Sequence, residues 1–376
     1  MRIVMFYHSL VSDWNHGNAH FLRGIVTELI ARGHDVAVYE PEDSWSLKHL
    51  LLDHGHDPID QFRQAYPQLD SIRYDPKTLD LCSALNGADM VIVHEWNPHD
   101  LVRRIGDHRR TIGNYVLLFH DTHHRSITER ESMADYELRN YSGVLAFGKV
   151  IRDIYLESGW TRRAWVWHEA ADTRVFKPAE RSVAKEGDLV WIGNWGDGER
   201  SAELHEFLLR PVKELGLRAR VYGVRYPSHA IMAMAEAGIE YGGWLANHRV
   251  PDVFARFKVT VHVPRRPYAS SLPGIPTIRP FEALACGIPL VSAPWSDSEG
   301  LFTAGEDYLT AANGAEMKQQ LSAVLNDAAL AERLAVHGRQ TILRRHSCAI
   351  RTDELLRIYD EVRSSMDNIS TKGVAA

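Results

Sequence analysis

Cysteine and long apolar runs are both scarce in this sequence of 376 residues. Cys82, Cys286 and Cys348 are odd in number and far apart, which argues against a disulfide framework and favours free thiols in a reducing compartment. Apolar runs such as residues 115–119 are much shorter than the roughly 20 residues that cross a bilayer. Residues 1–8 have the pattern of a strand and not of a signal peptide. We therefore expect a cytoplasmic protein without a transmembrane segment.

An excess of positive charge is missing as well. Lys and Arg number 43 against 49 Asp and Glu, which gives a formal net charge of -6. Because no overall positive field is available to hold a nucleic-acid backbone, we expect no nucleic-acid partner. The arginine pairs at residues 103–104 and 109–110 favour a solvated helix face and leave open a weak peripheral contact with an anionic membrane.

The composition that remains is that of a folded protein, with 45% hydrophobic and 24% charged residues. The length exceeds one ordinary domain of about 100 to 200 residues. Short β-branched runs alternate with segments of helical spacing, which predicts strand–helix units around parallel sheets. We predict strands at residues 3–7, 36–39, 71–74, 90–94, 116–120 and 144–147, and, beyond a polar linker at residues 179–188, at residues 189–192, 220–222, 259–263 and 289–292.

This pattern divides the chain into four parts. Residues 1–178 and 188–348 form two Rossmann-like domains, residues 349–366 form a C-terminal helix, and residues 367–376, which lack an apolar pattern, form a flexible tail. Ligands of such sheets bind at the carboxyl ends of the strands. Two domains that face each other with these ends would form a cleft for two ligands.

Three segments, in order along the chain, carry a family resemblance. The first is NHGNAH at residues 15–20 with the helix end ARGHDV at residues 31–36, and the second is ADTRVFKP at residues 171–178. The third and most specific is RPFEALACGIPLVS at residues 279–292. Together they resemble the GT-B glycosyltransferases, namely the large family 4 type and its spore-maturation-protein-like relatives.

The resemblance implies an α/β fold with two facing Rossmann-like domains and a C-terminal helix that crosses back onto the N-terminal domain. It implies an enzyme of the hexosyltransferase type, which moves a sugar from a nucleotide-diphosphate sugar to an acceptor hydroxyl in the cleft. No cofactor and no divalent metal would be needed. The family 4 pattern has two glutamates separated by seven residues, and Gly274 stands where the first is expected, which favours the spore-maturation-like branch. The donor base, the sugar, the acceptor and the stereochemical course stay open.

The third segment supplies donor-binding candidates. Glu282 stands near the start of an apolar helix, and by resemblance its carboxylate accepts hydrogen bonds from the donor ribose hydroxyls. Arg279 is predicted either to contact phosphate or to neutralise Glu282. Thr277 offers a backbone N–H to the diphosphate at the same helix start.

Two strand-to-helix turns supply the other donor-binding candidates. Gly17 follows the first strand, where the absence of a side chain lets a phosphate or a sugar approach the backbone. Asn194 and Arg200 belong to a glycine-rich turn after the strand at residues 189–192, where N–H groups and a guanidinium fork can reach phosphate oxygens.

The catalytic candidates follow the strand at residues 116–120. By resemblance, His120 contacts the transferred sugar near the reaction centre. Asp121 is a candidate general base towards the acceptor hydroxyl, a group that an inverting displacement needs. Arg125, a few residues on, and His20, at the start of the first helix, are acceptor-side candidates.

Alternative functions remain at this point. His120, Asp121, His123 and His124 are all potential metal ligands, so the 120–124 cluster is also compatible with a metal-dependent hydrolase. Nucleotide-sugar epimerases and sugar phosphorylases use the same two-domain fold, and a noncatalytic nucleotide-sugar sensor is a further alternative. An epimerase needs no acceptor, a phosphorylase needs phosphate, and a sensor makes no product.

Overall fold

The computed structural model describes residues 1–15, 17–196 and 198–374, with side chains up to residue 367. His16 and Asp197, which belong to segments quoted above, and Ala375 and Ala376 lie outside the described residues. The chain divides into two compact units. The first contains Met1–Ser12, Leu22–His168 and the residues from Cys348 onward, and the second contains Asp13–Phe21 and Glu169–Ser347.

The first unit is built on a seven-stranded sheet in which all recorded strand pairs are parallel, in the order β3-β2-β1-β4-β5-β6-β7. The strands are β1 Arg2–Phe6, β2 Asp35–Pro41, β3 Ile72–Tyr74, β4 Met90–His94, β5 Val116–Asp121, β6 Gly143–Ala146 and β7 Ala164–Val166. Strands β4 and β5 are buried along their whole length, as expected for central strands of a parallel sheet.

The helices of the first unit up to residue 168 are α1 Ala19–Ala31, α2 Trp45–His54, α3 Asp57–Ala65, α4 Leu81–Ala84, α5 His99–Thr111, α6 Arg125–Thr128, α7 Arg130–Ala134 and α8 Lys149–Glu157. Helix α1 begins in the second unit, because that unit contains Asp13–Phe21, and continues in the first.

The second unit has a six-stranded parallel sheet in the order β10-β9-β8-β11-β12-β13. Its strands are β8 Leu189–Ile192, β9 Ala219–Tyr222, β10 Ile239–Tyr241, β11 Val259–His262, β12 Leu290–Ser292 and β13 Leu309–Thr310. Its helices are α9 Ser201–Leu204, α10 Arg210–Leu215, α11 Ser228–Glu236, α12 Val250–Ala255, α13 Arg266–Ser271, α14 Ile278–Ala285, α15 Gly314–Asn326 and α16 Ala328–Arg345, with a π-helical turn at His205–Leu209 and a 3-10 turn at Asn247–Arg249.

The two parallel sheets confirm the predicted fold class, and every predicted strand is present, with bounds that differ by at most two residues. Three further strands, β7, β10 and β13, were not predicted. Each lies at an edge of its sheet and is only partly buried. Edge strands of this kind lack the continuous apolar run that reveals central strands.

Residues 169–178 belong to the second unit, whereas the sequence placed them at the end of the first domain. The main-chain N–H of Ala171 donates to the carbonyl of His346 at 2.9 Å, and Ala171 forms a parallel bridge with Ser347. These main-chain contacts attach the segment to the end of α16.

The last helix, α17 Cys348–Val374, belongs to the first unit. The indole Nε1 of Trp167 donates to the carbonyl of Arg351 at 2.8 Å, and Nε of Arg351 donates to the carbonyl of His168 at 3.0 Å. This is the return to the N-terminal part of the chain that the resemblance implied. The helix continues past residue 366, where the sequence predicted a tail, because helix propagation needs no apolar pattern.

Candidate functional site

The loops of the second unit meet at the switch point of its sheet. Strand β8 lies in the middle, with β9 and β10 on one side and β11 to β13 on the other. Ligands of open parallel sheets bind beyond the carboxyl ends of the strands at such a point. Here the loop after β8 carries Arg200, the loop after β11 carries Arg265, and Arg279 stands in the first turn of α14.

The guanidinium of Arg200 is hydrogen-bonded to main-chain carbonyls of two loops. Its Nε donates to the carbonyl of Asn194 at 3.1 Å, and its Nη1 donates to the carbonyl of Val263 at 3.0 Å. The guanidinium lies 5.1 Å from the ring centre of Trp191. Desolvation and then the charge of Arg265 lower the pKa of Arg200 to about 9. A buried arginine whose pKa is lowered by a neighbouring positive charge marks a site that an anion would stabilise.

Glu282 is fully buried on α14 and is surrounded by hydrogen-bond donors. Its Oε1 accepts from Nδ1 of His20 at 2.8 Å and from Nδ2 of Asn247 at 2.9 Å, and its Oε2 accepts from Nη1 of Arg279. Burial opposes ionisation, but Arg279 and the hydrogen bonds from His20 and Asn247 outweigh it, so the pKa of Glu282 is lowered. Glu282 is therefore ionised and held in one orientation.

The hydrogen bonds of His20 fix its tautomer. The main-chain N–H of Asp172 donates to Nε2 of His20 at 2.7 Å, so Nε2 carries the lone pair and the proton lies on Nδ1, facing Glu282. The imidazole stacks on the ring of Phe176 at 3.8 Å and 11°. The sequence named His20 as an acceptor-side candidate, and the structure places it in the second unit, against the carboxylate of Glu282.

The rest of the segment Asp13–Phe21 also packs within the second unit. Oδ2 of Asp13 accepts from the main-chain N–H of Asn247 at 2.9 Å, and the side chains of Asn15 and Asn194 are hydrogen-bonded. A Cβ on Gly17 would lie 3.2 Å from Cγ2 of Ile278 on α14. A side chain at position 17, which the sequence predicted as part of the donor site, would therefore be crowded against α14.

Thr277, immediately before α14, has a positive φ of 63°. Positive φ is costly for a threonine, so the residue is held in a strained conformation where α14 begins. Of the donor-side candidates, Gly17, Asn194, Arg200, Thr277, Arg279 and Glu282 all lie in the second unit.

Glu169 is a buried acid of the second unit that the sequence did not single out. It is 3% exposed. Burial and the charge of Glu282 raise its pKa to about 8, although Arg279 acts in the opposite direction. Glu169 is therefore protonated at neutral pH. Glu169 follows β7, a strand that was not predicted, and has no motif of its own, so no local signal marks it.

His120 lies in the first unit, at the carboxyl end of β5, and is 1% exposed. Its Nδ1 is hydrogen-bonded to the hydroxyl of Tyr7 at 2.7 Å, and its ring contacts the edge of Trp167 at 4.8 Å. Burial lowers the pKa of His120 to about 3. The imidazole is therefore neutral at pH 7 and can act as a hydrogen-bond partner but not as a cation.

Both carboxylate oxygens of Asp121 are engaged within the first unit. Oδ1 accepts from the main-chain N–H of His123 at 3.0 Å, and Oδ2 accepts from the hydroxyl of Tyr155 at 2.9 Å. Burial raises the pKa of Asp121 to about 6. Burial and the charge of Asp121 raise the pKa of Glu95 well above its usual range. Two acids in one buried site favour a shared proton.

Arg125 lies next to this pair of acids. Its Nη1 is 3.5 Å from Oε2 of Glu95, and its Nε donates to Oε2 of Glu129 at 3.0 Å. The guanidinium lies 4.6 Å from the ring centre of Trp96. Arg125, an acceptor-side candidate from the sequence, is thus a buried, ion-paired residue that supports an exposed tryptophan.

Across the residues that the structure describes, no group of three or more His, Cys, Asp and Glu side chains is placed to hold a metal ion. In the 120–124 cluster, Nδ1 of His124 is hydrogen-bonded to the hydroxyl of Thr128 at 2.9 Å. The rings of His123 and His124 lie 3.9 Å apart. The metal-hydrolase alternative therefore gains no support. None of the described helices is both long and apolar enough to cross a membrane.

A model of a known protein family matches most of the second half of the chain. Residues 200–357 match the model of a glycosyl transferase-like family. This range contains Arg200, Thr277, Arg279 and Glu282. No curated protein matches the sequence significantly.

Solved structures match nearly the whole chain. Sucrose-phosphate synthase from Thermosynechococcus elongatus is 13% identical, with 97% of this chain and 99% of that chain covered and a TM-score of 0.65. HepE from Anabaena, solved with UDP-glucose, is 12% identical, with 96% and 100% covered and a TM-score of 0.67. An alpha-glucosyltransferase solved with UDP and DNA is 12% identical, with 96% and 99% covered and a TM-score of 0.67.

These similarities agree with the two parallel sheets and confirm the resemblance to the GT-B glycosyltransferases, while the family 4 or spore-maturation-like branch stays a prediction. The chain has the fold of the GT-B glycosyltransferases and carries a glycosyl transferase-like domain, and the predicted enzyme class, a glycosyltransferase, is confirmed.

Proposed function

We propose that this glycosyltransferase uses a nucleoside diphosphate sugar as donor and transfers the sugar to an acceptor hydroxyl without a divalent metal. The observation that carries the proposal is the set of three arginines, Arg200, Arg265 and Arg279, at the switch point of the second sheet. The charges of Arg265 and Arg279 act on Arg200, and a diphosphate is an anion that suits such a cluster.

The reaction forms a bond between the acceptor oxygen and the anomeric carbon of the sugar. The bond between that carbon and the diphosphate oxygen breaks, the diphosphate takes the electron pair, and the hydroxyl proton is released. The leaving group gains negative charge, which fixed guanidinium groups and the N-terminus of α14 stabilise. Arg200 and Arg279 supply these groups in the proposal, together with backbone N–H groups near Thr277.

Glu282 is proposed to bind the ribose diol of the donor. Oε1 of Glu282 already accepts hydrogen bonds from two donors, Nδ1 of His20 and Nδ2 of Asn247. Oε2 accepts one hydrogen bond, from Arg279. A carboxylate oxygen accepts more than one hydrogen bond, so Oε2 is the atom with remaining capacity. The lowered pKa of Glu282 keeps it an acceptor across the physiological range of pH.

His120 and Asp121 are proposed to lie near the reaction centre, with His120 in contact with the transferred sugar. A neutral His120, hydrogen-bonded to Tyr7, suits a hydrogen bond to a sugar hydroxyl. Asp121 accepts from the hydroxyl of Tyr155 and from the main-chain N–H of His123, which supports a role in holding the chain after β5 in preference to removing a proton. Gly17 and Asn194 complete the donor side, through the contacts of Gly17 with α14 and of Asn194 with Asn15.

A UDP-sugar is the first donor to test, because HepE and the alpha-glucosyltransferase were solved with UDP-glucose and with UDP. The absence of a nucleic-acid partner and a cytoplasmic location stay predictions from the sequence. The cleft between two domains as the place of reaction also stays a prediction.

The proposal is tested by thermal unfolding with UDP, GDP, dTDP and their glucose conjugates, with EDTA present. A ligand that binds only the folded protein raises the melting temperature by mass action. We expect one nucleotide series to do so, and Glu282→Gln to reduce the shift. If no nucleotide stabilises the protein, the donor assignment is wrong. A product formed without an acceptor would instead indicate an epimerase, and a requirement for phosphate a phosphorylase.

A further inference from the structure

Three aromatic side chains converge at the carboxyl edge of the first sheet. His8 follows β1, Trp96 follows β4 and His123 follows β5, and these strands are neighbours in the sheet. The ring centres of His8 and Trp96 lie 6.3 Å apart, and those of Trp96 and His123 lie 5.4 Å apart. We call His8, Trp96 and His123 the Trp96 platform.

The platform lies at the switch point of the first sheet. Strands β2 and β3 extend from β1 in one direction, and β4 to β7 extend from it in the other. Loops at this point hold ligands in open parallel sheets. Neither the sequence nor the proposed reaction has yet given His8 or Trp96 a role.

Trp96 is exposed but held in place. Its side chain is 45% exposed, whereas Arg125 beside it is 6% exposed. Arg125 lies 4.6 Å from the ring centre and is itself fixed by Glu129 at 3.0 Å and by the main-chain carbonyl of Glu95 at 3.3 Å. An exposed aromatic ring that is already ordered loses little conformational entropy when a ligand covers it.

The platform carries little net charge. Desolvation lowers the pKa of His8 to about 4, so its imidazole is neutral at pH 7. Arg125, the cation beside the Trp96 ring, is paired with Glu95 and Glu129. A diphosphate would therefore find no unbalanced positive charge here, whereas in the second unit the charges of Arg265 and Arg279 both act on Arg200.

We propose that the Trp96 platform binds a neutral sugar as the acceptor, with the C–H face of the sugar ring against the indole and its hydroxyls towards His8 and His123. A sugar ring presents an apolar face and a polar edge, which an indole flanked by imidazoles matches. The absence of compensating charge disfavours an anionic acceptor. This inference rests on the proposed function, because it names the acceptor class of that reaction.

Binding at the platform is measured by fluorine NMR on protein labelled with fluorotryptophan. Trp96→Phe identifies the Trp96 resonance among the ten tryptophans. Maltose and cellobiose are the neutral probes, glucuronate is the anionic probe, and phenylethanol is the aromatic alcohol. We expect the neutral disaccharides to shift the Trp96 resonance and the other two to leave it in place. No shift with either disaccharide, or a shift with phenylethanol alone, overturns the proposal.

Trp96→Ala is compared with Trp45→Ala in a transfer assay with UDP-glucose and cellobiose or maltose. Trp45 is a matched control, because it is 48% exposed on α2 and contacts a histidine, His49, at 4.7 Å. We expect Trp96→Ala to raise the acceptor KM about tenfold or more with an unchanged affinity for UDP-glucose, and Trp45→Ala to change neither. Equal acceptor KM values in both variants contradict the platform. If the unmutated protein binds none of UDP-, GDP- and dTDP-glucose, the proposed function is contradicted instead, while the NMR titration still tests the platform.

Discussion

Nδ1 of His20 donates a hydrogen bond to Oε1 of Glu282 at 2.8 Å, although 262 residues separate them in the sequence. The opposite nitrogen, Nε2, accepts from the main-chain N–H of Asp172. A main-chain N–H can only donate, so this pair of bonds specifies one tautomer of His20. His20 thereby orients the carboxylate that is proposed to bind the donor ribose.

Replacement of His20 tests this orientation. His20→Phe keeps a flat ring against Phe176 but removes the Nδ1 proton, and a hydrogen bond to a charged group contributes about 1.5 to 3 kcal/mol. We expect the affinity for the nucleotide sugar to fall roughly ten- to hundredfold, as measured by calorimetric titration. His20→Asn, which retains an N–H donor, should recover part of the loss. Unchanged affinity in His20→Phe would show that Glu282 needs no support from His20.

Glu169 predicts a pH dependence of stability. Its pKa is about 8 in the folded protein against an ordinary value of 4.5, so between these values the folded state binds a proton that the unfolded chain releases. The free energy of unfolding should therefore fall with rising pH in this window, by at most about 1.4 kcal/mol per pH unit from this group. The stabilisation that protonated Glu169 contributes is fully present below pH 4.5 and is lost above about pH 8.

Glu169→Gln should remove that part of the slope in urea unfolding curves recorded from pH 5 to about pH 8. The matched control is Glu180→Gln, because Glu180 has an exposed side chain and its substitution should leave the slope unchanged. An identical slope in Glu169→Gln and the unmutated protein would mean that Glu169 is already ionised in the folded state.

His120 should contribute to turnover without titrating near neutral pH. Because burial lowers its pKa to about 3, the pH profile of kcat/KM between pH 5 and pH 8 should contain no ionisation that His120→Asn removes. His120→Ala should reduce kcat by roughly a hundredfold with little change in donor affinity. Tyr7→Phe, which removes the hydroxyl bonded to Nδ1, should cause a smaller loss. Full transfer activity in His120→Ala would exclude His120 from the reaction centre.

The central strands and the donor helix were predictable from the sequence, but the contacts around them were not. Strands such as β4 and β5 are continuous apolar runs, and α14 carries the most specific motif. The edge strands β7, β10 and β13 are short and half-exposed, so tertiary pairing and not local pattern defines them. Sequence spacing likewise gave no sign that residues 13–21 pack with the second unit.

In the candidate site, likewise, pairs of residues close in sequence were predictable and contacts between distant residues were not. Glu282 and Arg279 were recognised together because they are neighbours on one helix, and the structure pairs them. His20 and Arg125 were identified as candidates, but their partners, Glu282 and Glu95, come from distant elements. Glu169 and Trp96 were missed, since burial and exposure of a single residue follow from the folded chain alone.

The central claim is that sugar transfer depends on arginines and not on a divalent metal. The direct measurement is product formation from UDP-, GDP- and dTDP-glucose with maltose or cellobiose as acceptor, with EDTA and with added Mn²⁺, in the unmutated protein and in Arg279→Gln. The account predicts a glycoside and a nucleoside diphosphate in equal amounts, at a rate that EDTA does not change and that Arg279→Gln strongly reduces. A reaction that EDTA abolishes and Mn²⁺ restores, or one that proceeds unchanged in Arg279→Gln, would contradict it.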